Sequence, residues 1–415
     1  MKKILTLFSL LFSFCLLTQA QNVKRHCASH DLHLKQIANN QGYAERRTTL
    51  NVPTVSNSIG KKTTAGTVHK IPVVVHIIHN GEALNSGANI SDAQINSAIV
   101  ALNEDFRSLN KDTLAPSHAF YSLQADIGIE FVLAKQDASG AATTGILRYN
   151  KGQAFWEVST FDSTVKPTTA WDRTKYMNVW VVTIGGVDDG TLGYATFPGT
   201  NTAEDGVVIG TTFFGTTGNV STGFDLNRTA THEVGHYLNL SHIWGDATCG
   251  DDLVADTPPQ KEDNASCPTY PHNVASACSP GVNGEMFMNY MDYVDDACMS
   301  LFTTGQKDRM RAALTGPRVS LITSLGLITS VQDNVIKDNV ILYPNPSTGL
   351  INITVPSVFG LSQIQIISYT GQIVYDSIAK ENSVSITLPS IANGTYVVKL
   401  YGKEGVANKE LILLR

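Results

Sequence analysis

Charge is scarce and scattered in this 415-residue sequence: Asp, Glu, Lys and Arg make up 16% of it, with a formal net charge of −6. No basic stripe is present to follow a phosphate backbone, which excludes nucleic acid as a class of partner. After residue 20 no segment approaches the roughly 18 uninterrupted apolar residues of a membrane span, so no transmembrane segment is expected in the mature protein. Cysteine is sparse as well, with 6 residues, and four of them (Cys249, Cys267, Cys278 and Cys298) crowd into one stretch.

The one long apolar run is at the start, "MKKILTLFSLLFSFCLLTQA". Its paired lysines, apolar centre and small-residue end are the layout of a secretory signal over residues 1–20, cleaved after Ala20. Phe14 is bulky where a lipoprotein signal would carry a small residue before Cys15. Export places the four clustered cysteines in an oxidising setting, where they form two disulfides, with three pairings open. Cys27 stands alone.

Residues 21–60 are polar and turn-rich, with little apolar period, and read as an extended or processed pro-segment. The texture then changes over 61–318. "IPVVVHIIHN" suits a strand buried on both faces. "SDAQINSAIVALNEDFRSL" places Ile95, Ile99, Leu102 and Phe106 at helical spacing, capped by Ser91 or Asp92. Strands at "IEFVLA", "MNVWVVTI" and "GVVIGTTFF", and a turn-bounded "LGYATFPG", imply a twisted mixed α/β sheet. A helix at "TGQKDRMRAALTG" precedes a low-complexity linker, 319–339. Residues 340–415 alternate as short strands between Gly, Asn and Pro turns, the pattern of a small all-β, Ig-like sandwich.

The chemistry concentrates in "THEVGHYLNLSHIWG", directly after the last sheet strand. On a helix His232 and His236 share one face, and Glu233 sits beside that face. Two imidazoles with a neighbouring carboxylate are the parts of a catalytic zinc site, which takes three protein ligands and keeps one position open. His242 completes the set only if the helix stops first. Asn239 is the residue for that bend, because asparagine tolerates the left-handed conformation next best after glycine. The isolated His69, His76, His79, His118 and His272 read as packing or surface residues.

HEVGHYLNLSH resembles the long zinc motif of the metzincin clan, departing from it only at Asn239. "MNYMDYVDDACM" resembles the clan's methionine turn, which implies Met291 as a hydrophobic base under the zinc and Tyr293 as the hydroxyl facing the oxyanion. The finer resemblance, over residues 25–318, is to the pappalysin family, through "DTP" at 256–258 and the cysteines around both motifs. It implies a metzincin fold with a long active-site helix and the disulfides Cys249–Cys278 and Cys267–Cys298. It also implies structural calcium in the intervening loop, with Asp252, Asp256 and Thr257 as oxygen ligands. "KRHCASHD" is similar to a cysteine switch, which implies that Cys27 occupies the zinc in a latent form. Asp295 or Asp296 falls near the acid that selects Arg or Lys after the scissile bond in several relatives. The closing "YPNPSTGLINI" and "GTYVVKLYGKEGVANKELILLR" resemble the type A sorting domain of the type IX secretion system, so that machinery is an expected partner and the outside of the outer membrane the expected location.

The expectation is therefore a secreted zinc endopeptidase acting on protein or peptide substrates. Glu233 serves as general base, and the Gly193–Gly199 stretch as a sheet edge that pairs an extended substrate. Two rivals stand beside it: a non-catalytic cell-surface adhesion protein with a structural zinc site, and a zinc hydrolase aimed at a non-protein ester or amide. A structural site has four protein ligands and no spare base. Glu233 argues against that reading.

Overall fold

The computed structural model describes residues 25–51, 67–200, 203–327, 340–368, 372–402 and 405–415. The signal at 1–20, part of the pro-segment and much of the linker lie outside the described residues. Chain order begins with helices α1 (Ser29–Asn39) and α2 (Gln41–Leu50), then strand β1 (His69–His79), helix α3 (Asp92–Phe106), β2 (Ile129–Leu133) and β3 (Ile146–Asn150). Two short turns, α4 (Val158–Thr160) and α5 (Lys166–Thr169), precede β4 (Met177–Val182), β5 (Gly193–Ala195) and β6 (Val207–Gly210). Helices α6 (Arg228–Tyr237), α7 (Thr304–Thr315) and α8 (Val319–Ile322) follow.

The β-branched run of β1 becomes the centre of a six-stranded sheet of order β2-β1-β4-β6-β5, with β3 also on β1. β1, β2, β3, β4 and β6 run parallel, whereas β5 is antiparallel to β6 and forms the edge. Both faces of a parallel sheet need cover, and the continuous burial of β1 from Ile71 to Ile78 shows that they have it. Helix α3 packs on one face through Ile95, Leu102 and Phe106, and the Ser91 hydroxyl caps it by accepting from the Gln94 amide.

Polar composition gave 21–60 the look of an extended segment, yet residues 29–50 form two helices, α1 and α2. Their cover comes from the sheet edge rather than from a stripe of their own, as the contacts below show. The C-terminal residues form β7 (Ile341–Tyr343), β8 (Leu350–Thr354), β9 (Leu361–Ser368), β10 (Ile373–Ile378), β11 (Ser383–Thr387), β12 (Gly394–Gly402) and β13 (Gly405–Leu413). They make two antiparallel sheets, β10-β9-β12-β13 and β11-β8-β7. A separate core of Ile351, Ile353, Ile364, Ile366, Val398, Leu400 and Leu411 lies between them, the expected β-sandwich.

Candidate metal centre

Helix α6 is buried along its whole length. Its end is set by a residue with φ +81°, Asn239. The Leu240 amide reaches back to the Gly235 carbonyl (2.9 Å) and the Asn239 amide to that of His236 (2.9 Å). These are the two bonds of a left-handed helix stop, and they satisfy carbonyls that the helix would otherwise leave open. Beyond the stop the chain reverses, and His242 returns toward the two helix histidines.

All three rings converge. His236 Nε2 lies 3.1 Å from His232 Nε2 and 3.2 Å from His242 Nε2. Each Nδ1 has an oxygen partner: the Tyr290 carbonyl for His232 (2.8 Å), the Leu240 carbonyl for His236 (2.7 Å), and the Asp246 carboxylate for His242. With Nδ1 donating, each Nε2 turns an unshared pair toward the other two. Three such pairs repel one another unless a cation lies between them. Metal–nitrogen bonds of roughly 2.0–2.1 Å in tetrahedral geometry place neighbouring nitrogens roughly 3.3 Å apart, so the spacing fits a small divalent ion. Cys27 Sγ joins this group, and the four atoms that could hold a metal lie within 4.8 Å of one another.

The surroundings are dry, and burial lowers His232 and His236 well below the ordinary imidazole range. Burial likewise pushes the Cys27 thiol up, with the neighbouring Glu233 carboxylate adding to it. A bound divalent cation would act in the opposite sense and favour thiolate. Burial raises Glu233 to about 8. Its Oε2 accepts from the Ser29 hydroxyl (2.9 Å) and the Cys27 thiol (3.3 Å).

Met291 is fully buried below α6, and its carbonyl accepts from the Ile243 amide just after His242. Asn289 holds the turn, its Oδ1 accepting from the Met291 amide (3.0 Å) while its side chain pairs with Gln306 of α7. Tyr293 Oη lies 3.1 Å from His242 Nε2 and accepts from the Cys27 amide at 3.1 Å. Disulfides join Cys249 to Cys278 and Cys267 to Cys298. They tie the loop after the metal helix to the segment carrying the methionine turn.

Of the adjacent acids near the methionine turn, Asp296 is the one that faces a cation. Its Oδ1 accepts from Arg25 Nη2 (2.5 Å), and its Oδ2 from the Leu226 and Arg228 amides. Arg25 also donates to Thr229 Oγ1 (2.9 Å) and lies over the Phe224 ring. Asp295 is only partly buried, beside Cys298. In the loop, Thr257 Oγ1 is 2.9 Å from both Asp252 carboxylate oxygens and 2.7 Å from the Val254 carbonyl. Asp256 departs from the expected trio. It accepts from Thr303 Oγ1 and the Gly305 amide at the start of α7, where a carboxylate satisfies open helix amides.

Sequence reasoning passed over Asp246, Trp244 and Ser29. Asp246 accepts a hydrogen bond from His242 Nδ1, and Trp244 stacks on the His242 ring at 4.4 Å. Their signal was present in "SHIWGD": an acid four residues after a metal-type histidine is within reach of its second nitrogen. Ser29 accepts from the Ala195 amide of β5 at 2.8 Å while donating to Glu233. Cys27 itself pairs beside Gly193 in parallel fashion, its segment lying along the free side of the edge strand.

Comparison with known proteins agrees with this geometry. Residues 159–315 match the family described as pregnancy-associated plasma protein-A, and residues 341–414 match the secretion system C-terminal sorting domain. An extracellular metalloprotease of Arthroderma otae is 30% identical over 251 residues, covering 59% of this chain and 77% of the relative. One from Podospora anserina is 31% identical over 255 residues, covering 60% and 74%. Among solved structures, promirolysin of Tannerella forsythia, a variant of the proform, is 38% identical with a TM-score of 0.62, covering 74% of this chain and 99% of that one. Mature mirolysin in complex with a cleaved peptide is 42% identical with a TM-score of 0.57, covering 65% and 98%. The chain therefore belongs to the pappalysin family of metalloproteases and carries a C-terminal sorting domain that marks it for secretion or the cell surface.

Proposed function

We propose that this metalloprotease is a zinc endopeptidase made in latent form, with His232, His236 and His242 as ligands and Cys27 as the fourth donor until the pro-segment leaves. The observation that carries the reading is the convergence of three imidazoles, with His236 Nε2 at 3.1 Å from that of His232 and 3.2 Å from that of His242, and a buried carboxylate beside them. Zinc held there would supply Lewis acidity toward water and toward the scissile carbonyl. Glu233 takes the proton of the attacking water and returns it to the departing amine. Its carboxylate stands beside the three imidazoles and bonds to the Cys27 and Ser29 side chains, so departure of that segment frees it to reach a water at the metal. Tyr293 donates its hydroxyl to the developing oxyanion, and its contact with the Cys27 backbone supports that position.

Four protein donors would also describe a structural site. What separates the readings is that the fourth donor belongs to a terminal segment, and that Glu233 hydrogen-bonds to that segment alone among the described contacts. The segment lies parallel to β5, where a substrate adding a strand to this edge would lie. Arg25 of the segment pairs with the buried Asp296, and a basic side chain held by that acid supports a preference for Arg or Lys after the scissile bond. The Asp252 carboxylate, the Thr257 hydroxyl and the Val254 carbonyl gather oxygens at one place, with the Val254 amide and the Thr257 hydroxyl as their donors, and this oxygen cluster supports a calcium site there. The sorting domain supports engagement of the type IX secretion machinery. We assign residues 21–60 to the pro-segment, 61–318 to the catalytic domain and 340–415 to the sorting domain.

The test is cleavage of casein and of a matched ester by the processed protein, with zinc measured in the same samples. A chelator should abolish casein cleavage and zinc should restore it. Glu233→Gln should keep its zinc and lose activity by at least about a thousand-fold. A Glu233→Gln protein that retains wild-type proteolysis would remove the base from the mechanism.

A further inference from the structure

Asn239 ends helix α6, a task glycine performs without a side chain. Here the side chain has a second partner set. Its Oδ1 accepts from Arg47 Nη1 at 2.6 Å, and its Nδ2 donates to the Leu50 carbonyl at 3.2 Å. Both partners lie in α2. Arg47 Nη1 also reaches the Pro198 carbonyl (3.2 Å), its Nη2 donates to Asn51 Oδ1 (2.6 Å), and the guanidinium lies over the Phe197 ring at 4.9 Å. Next to it Arg46 donates to the Gly199 carbonyl (2.8 Å). Arg309 of α7 completes the junction, with Nε on the Asn239 carbonyl and Nη2 on Asn51 Oδ1.

Arg47 is only 2% exposed, and among the described residues no carboxylate accepts from it. A buried guanidinium in a permanent core would ordinarily be paired with an acid. This one is held by neutral oxygens and an aromatic face, an arrangement able to hold and also to let go. Its acceptors outside the segment flank the metal centre: Pro198 just past the edge strand, and Asn239 three residues after a metal-type histidine.

We infer that Arg47 and Asn239 form a second lock between pro-segment and catalytic domain, separate from Cys27 and built on the motif position where this chain carries asparagine in place of glycine. The inference rests on the reading of this segment as a pro-segment. It makes the Phe197–Gly199 and Asn239 shelf an interaction surface for the basic end of α2, which keeps the segment docked when the thiol is lost.

The experiment uses the full chain in four forms: wild type, Cys27→Ala, Arg47→Ala and the double variant. Hydrogen exchange is followed at the amides of Gln41–Leu50, and peptide cleavage is measured without processing. The Cys27→Ala chain should keep α2 protected and remain well below the processed enzyme in activity. Adding Arg47→Ala should speed exchange in α2 by roughly ten-fold or more, the loss expected for hydrogen bonds to a charged group, and raise activity in parallel. Asn239→Gly in the Cys27→Ala background is the second route, since glycine adopts φ +81° freely and removes only the side chain, with its acceptor for Arg47 and its donor to the Leu50 carbonyl. It should speed α2 exchange likewise. Unchanged α2 exchange in both combined variants overturns the lock, as does a Cys27→Ala chain already as active as the processed enzyme. Exchange requires no catalysis, so a protein inactive after processing would count against the peptidase reading while the exchange rates still decide the lock.

Discussion

Gly235→Ala probes how firmly the methionine turn supports the metal helix. A Cβ placed on Gly235 falls 2.5 Å from Met291 Sδ and 3.3 Å from its Cε. Ordinary contacts lie at about 3.5–4 Å, so the sulfur has to retreat by about 1 Å. Met291 has no exposed surface and sits within the main core, which leaves it little room to do so. Overpacking of this kind costs about 1–3 kcal/mol. The better helix propensity of alanine returns about 0.8–1 kcal/mol. The net expectation is a loss of up to about 2 kcal/mol, with α6 pushed off its support and zinc affinity reduced through His236, the next residue. A double-mutant cycle in urea isolates the contact. Met291→Ala alone should cost about 2–5 kcal/mol, but it vacates the volume into which the new methyl projects. In that background Gly235→Ala should become neutral or stabilising by up to about 1 kcal/mol. The coupling between the two sites should therefore reach about 1–3 kcal/mol. If the two changes add to within about 0.5 kcal/mol, the steric argument fails, and with it the role of Met291 as the base of the site.

Tyr293→Phe should lower kcat by about a hundred-fold or more with KM little changed, as loss of one oxyanion donor does; equal losses in kcat and gains in KM would contradict that role. Asp296→Asn keeps an acceptor for the Leu226 and Arg228 amides but removes the charge, so the kcat/KM ratio for Arg over Leu after the scissile bond should fall by about ten- to a hundred-fold. A ratio that does not move would reject the pocket. Burial raises Asp252 to about 7, above its value in an unfolded chain near 3.9, so the folded state holds the extra proton and stability declines as pH rises from about 4 to about 7. Calcium binds the ionised form, and its stabilising effect on Tm should therefore grow from pH 5 to pH 8; an effect that shrinks over this range would exclude Asp252 as a ligand.

The parts of the structure that were legible in sequence are those whose pattern is enforced by local geometry. A helix stop needs a left-handed residue, and Asn239 between His236 and His242 announced it three residues ahead of the returning ring. Burial on both faces needs an unbroken apolar run, and "IPVVVHIIHN" became the central strand. Spacing alone left the cysteine pairing and the choice between Asp295 and Asp296 open, because each depends on which chain segments meet across a long loop. Asp256 shows the same gap. The family resemblance grouped it with Asp252 and Thr257, and spacing could not show that its carboxylate also meets the Thr303 hydroxyl and the Gly305 amide at the start of α7.

The helices at 29–50 were hidden for a different reason. Apolar periodicity reports how an element buries itself against its own domain's core. α1 and α2 instead face carbonyls, a carboxylate and a sheet edge beside the metal centre. The residues that meet these groups are accordingly polar: Arg25 ahead of α1 for Asp296, Ser29 for Glu233 and the Ala195 amide, Arg46 for the Gly199 carbonyl and Arg47 for Asn239. Read alone, such a segment has the composition of a loop. Because most of these groups find their partners outside the segment, its helices derive much of their cover from the docked state, and the same polarity that masked them would let the segment return to water on the release proposed above.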